Sequence, residues 1–381
     1  MDSGSNEDVN DWERLTLTQL KQVLEATPQP YRVHAQVDAF VEKQTTHGAP
    51  FIEVKLADAG GSLVWRIFDN HPAFGQAKQL RRGEFIELAA KWVDGGKYGP
   101  EPKYAQWRSL AEHEQESLLN GDPELAQRQK DDFSDIEGFI DGMADPRLRR
   151  LCSVFLDQHG ARFRRCGAAR NNHHARRGGL IEHVAQMMRS AHAIAGAYPT
   201  LNADLLLAGV LFHDSGKLWE NAYAEVGFQM PFHIAGEMLG HISIGMELVN
   251  KLWRDVMDSP EAAEWATMDP ASEHVRLHLL HLIGSHHGIH EFGSPVLPKT
   301  PEAVVLHHVD NIDAKLEMLK QGYQNSQELG SGIFEKFWPW PTNVVAPLSS
   351  VPRPEPEPER DPDPESPDDV TPGDETGDAP A

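Results

Sequence analysis

Histidines and aspartates recur in this sequence at positions from which helices can deliver them to one place. The most informative stretch is residues 205–217, which is almost entirely apolar until it reaches the adjacent His213 and Asp214. An apolar run without a polar face predicts a helix buried on all sides. A buried imidazole and carboxylate need partners, because burying them alone is costly. Either a divalent metal ion or a hydrogen-bond network must therefore satisfy this pair.

Other nitrogen and oxygen donors lie in separate helical segments. His183 lies among apolar residues that recur with a helical period, and His241 opens a second such segment. His286 and His287 close a third segment, and Asp310 lies within a fourth. Nitrogen and oxygen donors without sulfur are typical of first-row ions that promote hydrolysis. We therefore expect one or two divalent ions, with Mn²⁺ preferred and Fe²⁺, Co²⁺ or Mg²⁺ as alternatives.

This pattern resembles the HD superfamily of metal-dependent phosphohydrolases, which have an all-helical fold. More narrowly, the sequence is similar to the YhaM-type 3′-5′ exoribonucleases, which place an OB-fold domain in front of the HD domain. The similar sequence motifs are His173-His174, residues 178–183, Tyr198-Pro199, and residues 285–288, 291–295 and 310–315. Together they cover most of the chain from residue 31 to about residue 318.

The resemblance implies a function and a role for each donor. The expected activity is 3′-5′ hydrolysis of single-stranded RNA, with single-stranded DNA as a further substrate. A first ion would be held by His183, His213, Asp214 and Asp310. A second ion would be bridged by Asp214 and completed by His241, His286 and His287. The predicted catalytic residues are Asp214 and Lys217, whose ammonium would neutralise charge that develops on the phosphoryl or leaving oxygen.

Composition sets the class of protein. The 381 residues are enough for two domains, and no apolar run is long enough to span a membrane. The start of the chain lacks the features of a signal peptide, so we expect a cytoplasmic protein without a membrane partner. Cys152 and Cys166 are the two cysteines, which gives no cysteine-based metal site. Homo-oligomers are compatible with the sequence.

Charge is unevenly distributed along the chain. The net charge is −23, yet residues 147–177 contain nine arginines and a single acid, Asp157. Such a run is often a solvated helix face. Its position beside His183 favours phosphate binding instead, since guanidinium groups suit phosphate oxygens. The predicted substrate contacts are His173, His174, Arg165, Arg170, Arg176 and Arg177.

Between residues 31 and 109 the apolar residues recur with a period of two, which is typical of strands, and not with the helical period of 3.6. Five strand-like segments there, with a hairpin turn at residues 58–61, predict a small closed β-barrel of the OB type. Barrels of this type bind single strands through exposed aromatic and basic residues, although aromatic residues are also common core residues. The predicted binding residues are Trp65, Tyr98, Tyr104, Lys91 and Lys97.

The predicted fold class is therefore α+β with several domains. An extension (1–30) precedes the OB-type domain (31–109), a linker (110–134), an all-α HD domain (135–344) and a disordered acidic tail (345–381). Two other functions fit the same residues. One is hydrolysis of small nucleotides or cyclic dinucleotides, and the other is the role of a non-catalytic regulatory protein that binds nucleic acid.

Overall fold

The computed structural model describes residues 9–96, 99–170 and 174–349. The fold is mixed α+β, with an N-terminal sheet followed by helices. Residues 350–381 of the predicted disordered tail (345–381) lie outside the described residues, as do Lys97, Tyr98 and His173. No helix of the described residues is both long and apolar enough to span a bilayer.

The N-terminal sheet contains the five predicted strands and one short additional strand. The strands are β1 (Glu13–Leu15), β2 (Gln29–Gln44), β3 (Pro50–Ala57), β4 (Ser62–Phe68), β5 (Phe85–Asp94) and β6 (Pro100–Ser109). Their order is β4-β3-β2-β5-β6, all antiparallel, and β1 pairs with β2 in parallel. Two short helices accompany them, α1 (Leu17–Val23) and α2 (Phe74–Ala77).

The prediction of a closed barrel is wrong. Strands β4 and β6 end the path, and no backbone pairing joins them in the described residues. The long β2 pairs with β5 through its first half and with β3 through its second, so the sheet curls around a core. The indole rings of Trp65 on β4 and Trp107 on β6 lie 5.7 Å apart, edge to face. Large side chains therefore occupy the gap that backbone pairing would have closed.

Helices make up most of the remaining chain. They are α3 (Glu112–Asn120), α4 (Pro123–Asp141), α5 (Pro146–Phe163), α6 (Gly179–Ala197), α7 (Ala203–Phe212), α8 (Ile234–Met257), α9 (Ser272–Ser285) and α10 (Pro301–Asn325). The predicted all-round buried helix is α7, in which every residue from Leu205 to Phe212 is buried. Three segments that carry predicted donors, α6, α9 and α10, pack against α7, and α8 packs against the 3-10 helix Ser215–Trp219 that follows it.

The sheet contacts the loop between the 3-10 helix Ser215–Trp219 and α8. The side-chain oxygen of Gln36 on β2 accepts a hydrogen bond from the backbone N–H of Phe228 at 2.6 Å. The guanidinium of Arg177 donates to the carbonyls of Ala224 and Gly227 in the same loop. Residues 220–231 therefore connect the helices to the sheet through specific hydrogen bonds.

Among the described residues, 326–349 belong to a separate unit. Three short antiparallel strands lie in it, β7 (Glu328–Gly330), β8 (Ile333–Phe334) and β9 (Val344–Val345). The rings of Phe337 and Trp340 pack edge to face at 5.3 Å.

Candidate metal centre

Five helical segments deliver the predicted donors. Donors of α6, α7 and α9 lie at or near a helix end, His241 directly follows the kink at Gly240 in α8, and Asp310 lies within α10. The segments and their donors are α6 with His183, the end of α7 with His213 and Asp214, the start of the main part of α8 with His241, the end of α9 with His286 and His287, and α10 with Asp310.

Four of these side chains form an inner donor group, defined as His183, His213, Asp214 and Asp310. The Nε2 atoms of His183 and His213 lie 3.3 Å apart, and Asp310 Oδ1 lies 3.5 Å from His183 Nε2. Asp214 Oδ2 lies 3.3 Å from His213 Nε2 and 3.9 Å from His183 Nε2. His183, His213 and Asp214 are almost completely buried.

An outer donor group, defined as His241, His286 and His287, lies on the other side of Asp214. The Nε2 atoms of His241 and His286 are 3.5 Å and 3.8 Å from Asp214 Oδ1. The ring of His287 lies 4.3 Å from that of His286 and 5.1 Å from that of His241, centre to centre. The two oxygens of Asp214 therefore face different donor groups, which is the arrangement of a bridging carboxylate.

A supporting acceptor fixes the orientation of every one of the five imidazoles. The acceptors for Nδ1 are Asp313 for His183, the Val210 carbonyl for His213, Glu220 for His241, the Ile283 carbonyl for His286 and the Phe292 carbonyl for His287. With Nδ1–H donated to an acceptor, the lone pair of Nε2 points toward the centre. This is the arrangement found behind metal-ligating histidines.

The donor set fits divalent ions. Asp214 Oδ1, His241 Nε2 and His286 Nε2 are buried and have no hydrogen-bond partner among the described residues. Ligand atoms about 2.1 Å from one ion lie roughly 3.0–3.5 Å from each other, and several of the separations above lie in this range. All donors are imidazole or carboxylate groups, which suits first-row ions.

The charges of the centre depend on their neighbours. Burial disfavours a charged His183, but hydrogen bonds to Asp310 and Asp313 overcome this effect and raise its pKa to about 10. Burial lowers the pKa of His286 well below its ordinary value. The metal-free centre therefore holds a proton on His183, while His286 is a neutral donor.

Lys217 lies directly beside the bridging carboxylate. Its Nζ is 2.6 Å from Asp214 Oδ2, and both side chains are largely buried. Burial would raise the pKa of Asp214, but the ammonium and the imidazole of His213 outweigh it and hold that pKa well below the usual range. One fixed positive charge therefore accompanies the inner donor group.

Gly216 allows the centre to assemble. It lies in the short 3-10 helix Ser215–Trp219, which packs tightly against α8. A Cβ atom at this position would overlap the carbonyl oxygen of His241. A glycine is therefore required where the His213-Asp214 segment crosses the segment that carries His241.

The arginines predicted to bind phosphate are used internally instead. Arg170 donates to the carbonyls of Met230, Glu220 and Pro231, and Arg177 to those of Ala224, Glu225 and Gly227. Arg176 pairs with Glu182 and Glu317, and Arg165 donates to the carbonyl of Ala161. Arg170, Arg176 and Arg177 therefore hold loops and buried carboxylates in place, which corrects their prediction as phosphate contacts. Phosphate binding by Arg165, whose guanidinium bonds to the preceding helical turn, stays a prediction.

The histidine predicted beside them also has a different place. His174 is 6% exposed, and its Nε2 lies 3.1 Å from Asp313 Oδ2. It therefore contacts the carboxylate behind His183 rather than solvent, which corrects its prediction as a substrate contact. His173 lies outside the described residues.

The aromatic residues predicted to bind nucleic acid separate into two classes. Trp65 is 1% exposed and lies in the core of the sheet, so its prediction as a binding residue is wrong. Tyr104 is 78% exposed. Lys91 is partly buried on β5, and Lys97 and Tyr98 lie outside the described residues.

Two residues of the centre were missed in the sequence. Asp313 lies three residues after Asp310 on α10, a spacing that places both on one helix face. Glu220 lies three residues after Lys217, and its Oε2 is 3.1 Å from His241 Nδ1. The spacing of Asp313 could have been recognised, whereas Glu220 needed the path of the loop.

The buried cluster of imidazoles and carboxylates on which these helices converge could hold divalent ions. Residues 180–315 match the model of the HD domain family, a segment that includes every residue of both donor groups. The chain therefore contains an HD domain, which indicates a metal-dependent phosphohydrolase in general.

Part of the chain is also similar to a solved structure, that of the replication Factor A related protein from Methanobacterium thermoautotrophicum. The identity is 16%, the match covers 24% of this chain and 87% of that chain, and the TM-score is 0.19. A similarity at this level assigns neither a fold nor a function to the segment.

Proposed function

We propose that this protein is a metal-dependent phosphodiesterase that degrades single-stranded RNA from its 3′ end and also accepts single-stranded DNA. The bridging position of Asp214 between two donor groups is the observation that carries this proposal. Two ions about 3.5–4 Å apart are a common arrangement in enzymes that cleave phosphodiesters. The similarity of residues 31–318 to the YhaM-type exoribonucleases favours RNA as the substrate.

Each residue of the centre has a defined task in this proposal. His183, His213 and Asp310 would hold an inner ion, and His241, His286 and His287 an outer one. Divalent ions held there would polarise a water molecule and neutralise charge on the phosphoryl group. Asp214 would contribute one oxygen to each donor group, since its Oδ2 lies near His213 and its Oδ1 near His241.

Lys217 supplies positive charge that needs no metal. Its ammonium lies 2.6 Å from Asp214 Oδ2, at the inner donor group. A preorganised cation at this place stabilises negative charge that grows on phosphoryl or leaving oxygens, because it does not have to reorient during the reaction. We therefore assign Lys217 to stabilisation of the transition state.

The second candidate function is hydrolysis of small nucleotides or cyclic dinucleotides. It is favoured by the internal use of Arg170 and Arg177 and by the burial of Trp65, which remove residues expected to guide a strand. The exposed Tyr104 remains available for stacking on a base. The two candidates differ in the length of the substrate that they cleave.

Timed digestion of a 5′-labelled single-stranded oligonucleotide separates these functions. A ladder that shortens progressively from the 3′ end, dependent on Mn²⁺ and abolished by a chelator, supports the exonuclease. A matched DNA oligonucleotide tests the sugar preference. Uncleaved oligonucleotides together with rapid turnover of mononucleotides or cyclic dinucleotides would contradict the exonuclease and support the second candidate.

A further inference from the structure

Both ring nitrogens of His183 lie close to aspartates of one helix, α10. Asp310 Oδ1 lies 3.5 Å from His183 Nε2, and Asp313 Oδ2 lies 2.7 Å from His183 Nδ1. The two aspartates are three residues apart on α10, so they occupy the same face of the helix. Asp310 lies on the side of the metal centre, whereas Asp313 lies behind the ring.

The carboxylate of Asp313 also contacts a second histidine, His174. The same oxygen, Asp313 Oδ2, lies 3.1 Å from Nε2 of His174. Two imidazoles thus share one carboxylate oxygen, and both are almost completely buried. Two carboxylates, those of Asp313 and Glu220, accept from imidazoles of the centre. In the described part of the chain, Asp313 is the one of these two that also contacts a second histidine.

His174 adopts a backbone conformation that needs support. Its φ of 48° lies in the left-handed region, which a residue with a side chain adopts at a cost in strain. Its carbonyl accepts hydrogen bonds from the backbone N–H groups of Arg176 and Ala168, at 2.8 Å and 3.3 Å. Gly179 packs against the same carbonyl, with no room for a Cβ atom. Strained residues that are held in this way cluster at functional sites.

We propose that His174 and Asp313 form a positioning pair for His183. Asp313 fixes the tautomer and the direction of the His183 ring toward the inner ion, and His174 acts through Asp313 by fixing its carboxylate. This inference rests on the proposed function, since it requires a metal ion in the inner donor group. In this proposal neither residue is a ligand of the inner ion.

The test is the dissociation constant of Mn²⁺, measured by isothermal titration calorimetry on the full chain. Asp313→Asn keeps the shape of the side chain but removes its charge, and we expect the inner ion to bind about 10–100-fold more weakly. His174→Asn keeps a residue that tolerates the left-handed backbone and should weaken binding less. Asp255→Asn, the same exchange at an exposed position of α8, is the matched control and should leave the dissociation constant unchanged.

The double variant distinguishes a pair from two separate residues. If His174 acts through Asp313, the double variant binds Mn²⁺ no more weakly than Asp313→Asn alone, because coupled residues are not additive. Wild-type affinity in Asp313→Asn, or a double variant whose loss is the product of the two single losses, would overturn the proposal. If Asp313→Asn does not fold, Asp313→Glu takes its place, and the same comparison with His174→Asn applies.

The outcomes also separate this inference from the proposed function. A wild-type chain that binds Mn²⁺ but cleaves no nucleic acid contradicts the proposed function, while the dissociation constants of the variants still decide on the positioning pair. A wild-type chain that binds Mn²⁺ with an affinity unaffected by Asp313→Asn contradicts the positioning pair alone. A wild-type chain without affinity for Mn²⁺ overturns both.

Discussion

Asparagine at position 214 would remove one negative charge from the centre and leave the shape of the side chain nearly unchanged. In the protein, Asp214 Oδ2 lies 2.6 Å from Lys217 Nζ, and the two side chains are 3% and 12% exposed. The Asp214→Asn variant therefore keeps the ammonium of Lys217 in a largely buried place without its counter-charge. We expect the metal-free protein to be destabilised and to lose hydrolysis.

The size of this effect follows from the burial of the pair. Removing one partner of a buried ion pair costs about 3–5 kcal/mol, whereas replacing both partners together is often neutral. At about 2 °C of melting temperature per kcal/mol for a domain of this size, the single variant should melt roughly 6–10 °C lower. The double variant Asp214→Asn with Lys217→Gln should recover most of this loss and remain inactive.

Thermal unfolding in the presence of a chelator measures this prediction. Wild type, Asp214→Asn and the double variant are compared at one pH, and each is then assayed for Mn²⁺-dependent hydrolysis. An unchanged melting temperature in Asp214→Asn would contradict the reasoning about the buried pair. Hydrolysis at the wild-type rate in either variant would contradict the role of Asp214 as a bridge.

Three further predictions concern the ions, the close approach of two segments and the sheet. The pKa of His183 is raised to about 10, so below that pH an inner ion must displace its proton. The apparent affinity for Mn²⁺ should therefore rise with pH up to about 10. Calorimetry in buffers of different ionisation enthalpy should detect the release of the proton. An affinity that falls with pH would contradict this. Gly216→Ala should abolish Mn²⁺ binding, because its Cβ overlaps the His241 carbonyl; wild-type affinity in that variant would refute the packing argument. Trp65→Ala should destabilise the protein by about 3–5 kcal/mol, whereas the exposed Tyr104→Ala should leave its stability unchanged in denaturant unfolding and weaken binding of single-stranded RNA.

Much of the metal centre could be predicted from the sequence, because its donors follow local rules. The apolar run of α7 required burial, so His213 and Asp214 at its end had to be satisfied by partners nearby. His183 and Asp310 lie in long helices with clear apolar periods. These two residues could be recognised as candidate donors without knowledge of how the helices are arranged in space. The structure places these four side chains within a few ångströms of each other.

What the sequence could not predict depends on partners that are distant along the chain. The guanidinium of Arg170 donates to a carbonyl 60 residues away, and no pattern of residue types records such an acceptor. Arginines that looked available for phosphate were therefore misinterpreted. The prediction of a closed barrel failed for a related reason. Closure depends on whether the edges of β4 and β6 pair, and the alternation of apolar residues does not determine this.

Trp65 is a different case, because the sequence did contain the signal. Leu63, Trp65 and Ile67 alternate along β4, and all three are buried on the inner face of the sheet. The period of two alone would have placed the indole inside. The interpretation as a binding residue followed the residue type and overlooked the position.

The most direct test of the central claim is anomalous diffraction from crystals of the protein grown with Mn²⁺. The account predicts a peak on each side of the Asp214 carboxylate, one beside His183 and Asp310 and the other beside His241 and His286. A single peak in the inner donor group would reduce the centre to one ion. The absence of any anomalous peak between these side chains, at Mn²⁺ concentrations that support hydrolysis, would contradict the account.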